Sequence, residues 1–178
     1  AVQVRARSLE PDALATIAAQ ARAEVPANVP LLLNGPPDLA AALGYDGVHY
    51  PQAAIPVARP PALRWTTAAV HDLDAVARAG RAGIDAMVFG AVFDPGSHAG
   101  TGGGLEALRA ACDAASRPVI AIGGISPERV EDCARAGAAG VAVVSGVIGD
   151  PDPAAAVARY CEAWEAAEAR LVGQESGR

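Results

Sequence analysis

The segment Ala121-Ile122-Gly123-Gly124-Ile125-Ser126-Pro127 sets two glycines between an apolar run and a Ser-Pro helix start. Glycines there let backbone amides close on an anion, and a helix beginning just beyond adds partial positive charge. One unit later, Val143-Val144-Ser145-Gly146 again ends an apolar run in a hydroxyl and a glycine. Two such turns in succession are what a phosphate cradle needs, with Gly123, Gly124, Val144 and Ser145 as candidates to hold the anion. Upstream lies a long stretch from Phe93 to Gly104, rich in glycine and proline, whose polar side chains are Asp94, Ser97, His98 and Thr101. Its composition and place predict a mobile lid over the site.

These turns require elements to aim them. Short apolar runs alternate with Ala-rich amphipathic segments, the pattern of repeated βα units. Strands are expected at 2–5, 30–34, 47–49, 63–67, 86–90, 119–122 and 141–145, and helices near 11–24, 38–43, 72–82, 105–115, 127–136 and 152–169. Glu10, Ser126 and Asp150 precede prolines where helices should start, and Gly44, Gly83 and Gly137 stand where helices should stop. Strict βα alternation calls for a parallel sheet. An open doubly wound sheet would show a glycine-rich turn after its first strand, and Arg5-Ala6-Arg7-Ser8 is not one. The fold class expected is therefore α/β, a (β/α)8 TIM-type barrel over residues 1–172 as a single domain, with a disordered tail at 173–178. Since a barrel needs eight strands, the first βα unit is expected to lie upstream, making the two phosphate turns follow strands seven and eight.

Composition narrows the function classes. Apolar residues make up 52% of the chain and aromatics 4%, and the net charge is −6. The 14 Lys and Arg are scattered, so no basic stripe for nucleic acid is expected. No apolar run is long enough to span a membrane. Cys112, Cys133 and Cys161 are far apart and odd in number, which argues against a disulfide framework or zinc site and for a cytoplasmic protein.

Seven segments in order resemble the thiamine-phosphate synthase family, which includes the thiazole tautomerases. Gln3-Val4-Arg5-Ala6-Arg7 is similar to the family's Q-x-R-x-K strand, and Leu32-Leu33-Asn34-Gly35 stands where the family has I-N-D. Asp46-Gly47-Val48-His49-Tyr50-Pro51-Gln52 resembles D-G-V-H-L-G-Q, and Val70-His71 resembles the end of S-x-H. Gly90-Ala91-Val92-Phe93 is similar to G-P-V-F, and 121–126 and 143–145 match almost letter for letter. The resemblance implies that Gln3, Arg5, Arg7 and Asn34 hold the pyrophosphate or pyrimidine side of a substrate. It also implies that Ser97 closes on the phosphate from the lid.

The departures from the pattern bear on the reaction. Synthases of the family use magnesium on two aspartates, but the first position is Gly35 and the second falls in 51–55, where no carboxylate stands. Ala69 replaces the serine of S-x-H, and His98 stands at the lid's lysine. These changes favour the tautomerase branch, an isomerase that shifts a ring double bond in a thiazole phosphate by moving a proton, with no cofactor. His98 and then His71 are its candidate acid/base groups, and His49 is read as structural. The alternatives are a diverged synthase, a transferase joining a pyrimidine pyrophosphate to the thiazole phosphate and needing magnesium, and a pseudoenzyme that binds a thiamine precursor without turnover. Tyr160 and Trp164 on the last helix are candidates either for a homodimer interface or for capping the core.

Overall fold

The structure is a computed structural model that describes residues 1–6, 9–61, 63–93 and 103–175. Seven strands form one parallel sheet in sequential order: β1 (Val2–Arg5), β2 (Leu31–Asn34), β3 (Gly47–Tyr50), β4 (Trp65–Val70), β5 (Ala86–Phe89), β6 (Val119–Ile122) and β7 (Gly140–Ala142). The helices are α1 (Pro11–Glu24), α2 (Pro37–Ala42), α3 (Leu73–Ala82), α4 (Gly104–Ala114), α5 (Val130–Arg135), α6 (Ser145–Ile148) and α7 (Pro153–Glu175). Single 3-10 turns lie at Gln52–Ala54 and Pro127–Arg129. Each strand pairs with the next, so the sheet curls, with β1 and β7 as its two edges. An α/β architecture with a parallel sheet is as expected; eight closed strands are not seen among the described residues.

Burial alternates along the central strands as a half-barrel requires. Ala68, Val70, Met87, Phe89 and Ala121 are buried, while Thr67, Ala69, Val88, Ile120 and Ile122 between them are half-buried. Met87 reaches toward α3, where a Cβ on Gly80 would meet its terminal methyl at 3.9 Å. The buried set therefore packs under the helices and the half-buried set lines the concave side.

Two carboxylates brace the rim where the strands begin. Asp46, just before β3, accepts the Leu31 N–H at 2.9 Å and faces Arg22 at 3.8 Å. Asp85, just before β5, accepts from Thr66 N and Thr66 Oγ1 at 2.8 Å each and from Arg59 Nε at 3.0 Å. Burial pushes the Asp85 carboxyl up, but the hydrogen bonds from Thr66 and then Arg59 outweigh it and hold the group below its ordinary value. In each case the Asp ties the start of its own strand to the start of the preceding one.

Several boundaries differ from expectation. Ser145, expected at the end of a strand, opens α6, because β7 stops at Ala142. Ser126 is followed by a 3-10 turn before α5 rather than one continuous helix. Asp152, rather than Asp150, caps α7 by accepting the Ala155 N–H at 3.0 Å; Asp150 pairs with Arg159 at 2.5 Å. Helix α7 runs to Glu175, into the segment expected as tail. Cys133 is buried, Cys112 half-buried and Cys161 exposed. Burial, with Asp132 and Cys112 adding to it, pushes the Cys133 thiol up to about 11. Among the described residues no helix is long and apolar enough to cross a membrane.

Candidate functional site

Because every strand runs the same way, all the carboxyl ends share one rim. That rim carries Arg5 and Asn34, the turn after β3 with Gln52, His71 after β4, the Gly90–Phe93 segment, Gly123-Gly124 and Val144-Ser145. Arg5 and Asn34 are paired in register on β1 and β2, which sets a cation beside an amide. Gln3 shares the Arg5 face two residues back, paired with Leu32, and lies deeper in the strand. Arg7, Ser97 and His98 lie outside the described residues.

The turn after β6 is held from behind. Val92 N–H donates to Ile122 O at 2.9 Å, and Phe93 N–H donates to Gly123 O at 3.0 Å. Arg129 Nη1 donates to Gly124 O at 2.9 Å while its guanidinium stacks over the Phe93 ring at 4.7 Å. Tyr160 Oη donates to Ile125 O at 2.9 Å. Four successive carbonyls are thus occupied away from the rim, leaving the turn's amides as the groups suited to meet an anion. Gly123 and Gly124 have φ of 103° and 60°, a region L side chains rarely adopt. A Cβ on Gly124 would stand 2.5 Å from Phe93 O, and one on Gly123 would stand 2.7 Å from the Ala91 backbone. Glycine is thus required twice over at these positions.

Val144 and Ser145 stand at the neighbouring strand end, both exposed, with Val144 O accepting from Val147 N at 3.1 Å and Ile148 N at 2.9 Å. Since Ile122 and Ala142 are register partners, the two turns leave the sheet side by side.

His71 follows β4 and is fixed on two sides. Its backbone N–H donates to Gln52 Oε1 at 2.6 Å, and its Nδ1 bonds the Gly90 carbonyl. A carbonyl can only accept, so Nδ1 carries the proton, and Nε2 is the ring nitrogen left to face a substrate. Gln52 Nε2 donates in turn to Asp72 Oδ2 at 2.7 Å, and Asp72 Oδ1 caps α3 by accepting Ala75 N–H at 2.7 Å. The Ala75 amide first, then Gln52, hold the Asp72 carboxyl below its ordinary value. His49 is instead buried within β3, its Nδ1 2.9 Å from Thr67 Oγ1 on the neighbouring strand, as a structural histidine should be.

The positions that the resemblance gives to magnesium ligands do not fit that ion. A Cβ on Gly35 would meet Leu14 and Leu33 side-chain carbons at 3.2 Å, an apolar wall, and 51–55 offers no carboxylate. Among the described residues no three His, Cys, Asp or Glu cluster as a metal site. Magnesium wants several hard oxygen ligands, which these positions lack.

Sequence reasoning missed Arg129 and Gln52 as parts of the rim and left Tyr160 between interface and core. The Gln52 signal was present in the D-G-V-H-L-G-Q resemblance. Arg129 and Tyr160 act through backbone carbonyls of other segments, which no local pattern marks. Both Tyr160 and Trp164 pack against the core.

A family model described as Thiamine monophosphate synthase matches residues 1–147. The chain is similar to a thiamine biosynthesis bifunctional protein ThiM/ThiE of Symbiobacterium thermophilum, 42% identical over 132 residues, covering 71% of this chain and 28% of that protein. It is similar to a thiamine-phosphate synthase of Methanoculleus marisnigri, 39% identical over 145 residues, covering 78% of this chain and 68% of the relative. The chain thus spans less than a third of the first relative's length and about two thirds of the second's. A thiamine phosphate pyrophosphorylase from Pyrococcus furiosus superposes with a TM-score of 0.81 at 26% identity, covering 93% of this chain and 82% of that one. With the family match spanning residues 1–147 and relatives of this identity covering most of the sequence, the chain belongs to the thiamine monophosphate synthase family.

Proposed function

We propose that this chain belongs to a transferase of the thiamine-phosphate synthase type, which joins a thiazole phosphate to a pyrimidine pyrophosphate. The family model and the Methanoculleus marisnigri relative are named as synthases, and this favours transfer over the isomerase reading that the sequence put first. The carrying observation is the Gly123-Gly124 turn, whose carbonyls are tied back so that its amides are suited to a phosphate. Ser145 on the adjacent turn supports the same group. Arg5 and Asn34, side by side across the rim, are suited to the pyrophosphate end. In the transfer, the carbon–oxygen bond to pyrophosphate breaks and the pyrophosphate leaves with the electron pair. The thiazole nitrogen then forms the new bond to carbon. Arg5 would offset charge on the leaving group. A complete eight-strand barrel around this site is part of the proposal.

A second reading is a metal-independent proton shift on the thiazole phosphate. Two observations favour it: the apolar surroundings of Gly35 and the His71 ring held with Nε2 left to face a substrate. The experiment supplies both substrates with and without magnesium and follows thiamine phosphate and pyrophosphate. Joint release of both products supports the transferase. Their absence, with turnover of the thiazole phosphate isomer alone in chelator, would put the proton shift in its place. Binding of the thiazole phosphate with neither conversion would overturn both readings.

A further inference from the structure

We propose that Tyr160 of α7 is a positioning residue for the phosphate site, fixing its two turns in register with each other; this rests on the phosphate reading above. The phenol is 8% exposed, and its hydroxyl donates to the carbonyl of Ile125, the residue directly after Gly124, at 2.9 Å. The same oxygen occupies the space where a side chain at position 146 would begin. A Cβ on Gly146, the residue directly after Ser145, would stand 2.2 Å from Tyr160 Oη and 3.2 Å from Cζ. One rigid side chain from the last helix therefore touches the backbone of both turns at once.

Strand pairing sets the two turns side by side only as far as Ile122 and Ala142. The Gly123-Gly124 turn is tied to Val92, Phe93 and Arg129, none of which belongs to the β7–α6 segment. The β7–α6 turn is closed by its own bonds from Val147 and Ile148 to Val144 O. An anion shared between the two depends on their separation, since charge-assisted hydrogen bonds weaken steeply when misaligned. Burial and then the nearby Glu128 carboxylate push the phenol up, so its hydroxyl remains a donor at ordinary pH. Replacing it by hydrogen frees the Ile125 carbonyl and opens space beside Gly146. A residue that served the core alone would cost stability on removal without changing anion affinity.

The test titrates inorganic phosphate into the full chain by calorimetry, for wild type, Tyr160→Phe and Gly146→Ala, with thermal melting of each. Tyr160→Phe keeps the ring and should weaken phosphate binding about tenfold, because the released Ile125 carbonyl lets the turn's amides lose their alignment on the anion. Gly146→Ala keeps the hydroxyl but must displace it, and should weaken binding at least as much. Wild-type affinity in both folded variants would overturn the positioning role and leave the phosphate site standing. If wild type itself takes up no phosphate, the site reading fails and the proposal falls with it. Should Tyr160→Phe fail to fold, Gly146→Ala decides.

Discussion

His71 earns its place at the rim through what its other nitrogen does. With Nδ1 committed to the Gly90 carbonyl, ring orientation and tautomer are set together, and Nε2 is the group left for substrate chemistry. On the proton-shift reading, His71→Ala should therefore lower turnover of the thiazole phosphate about a hundredfold, the usual scale of a lost acid/base group. Its melting temperature should change little, because the side chain is exposed. Full turnover in that variant would remove His71 from the mechanism. Gly124→Ala tests the other end of the site. It forces a methyl to within 2.5 Å of Phe93 O at a φ of 60°, and should cost about 1–3 kcal/mol in urea unfolding together with phosphate binding. An alanine variant as stable as wild type would mean that the turn relaxes freely. These glycines were legible in the sequence because their requirement is local: a turn between strand and helix. His71 was legible by resemblance, but its tautomer was not, since Gly90 lies nineteen residues away and reaches it through the fold.

At the scale of elements, the strand order and type followed from alternation of apolar runs and helices, while their ends often did not. Val143-Val144 reads as strand because both residues are β-branched, yet pairing with β6 stops at Ala142 and Ser145 turns into α6. Pairing needs a partner strand, and Ile122 is the last residue that β6 supplies. The strand-start carboxylates were likewise missed as braces, because their partners are fifteen and nineteen residues distant. Asp85 gives this a pH signature. Its folded value lies below the ordinary carboxylate value, so its contribution is complete above about pH 4 and is lost as pH falls through the folded value. Asp85→Asn should cost about 1–3 kcal/mol at neutral pH, by weakening the bonds to Thr66 and Arg59. The gap between wild type and variant should narrow below pH 4. A gap that is constant from pH 7 to pH 3 would show that the charge contributes nothing.

Across the whole molecule, the candidate site is split between two sheet edges of unequal cover. Arg5 and Asn34 belong to β1 and β2, and the phosphate turns to β6 and β7, while the fully buried β3 lies between them. All four residues of β3 are buried, three of four in β1 are exposed, and the three of β7 are half-buried. Edge strands open locally at lower free energy than central ones, because each lacks one partner and much of its apolar cover. Amide hydrogen exchange should therefore be slowest in β3, β4 and β5 and fastest in β1 and β7. Inorganic phosphate should slow exchange at 123–126 and in β7 while leaving β1 unchanged, since the anion reaches only one edge. Thiazole phosphate and pyrimidine pyrophosphate bound together would engage both edges and should slow exchange in β1 as well. Equal protection of β1 and β4 in the free chain would show that the β1 edge is covered in solution. A dependence of that protection on protein concentration would assign the cover to a second copy. Phosphate that protects β1 and β7 alike would instead show that the two edges move as one unit, and the division of the site between them would be wrong.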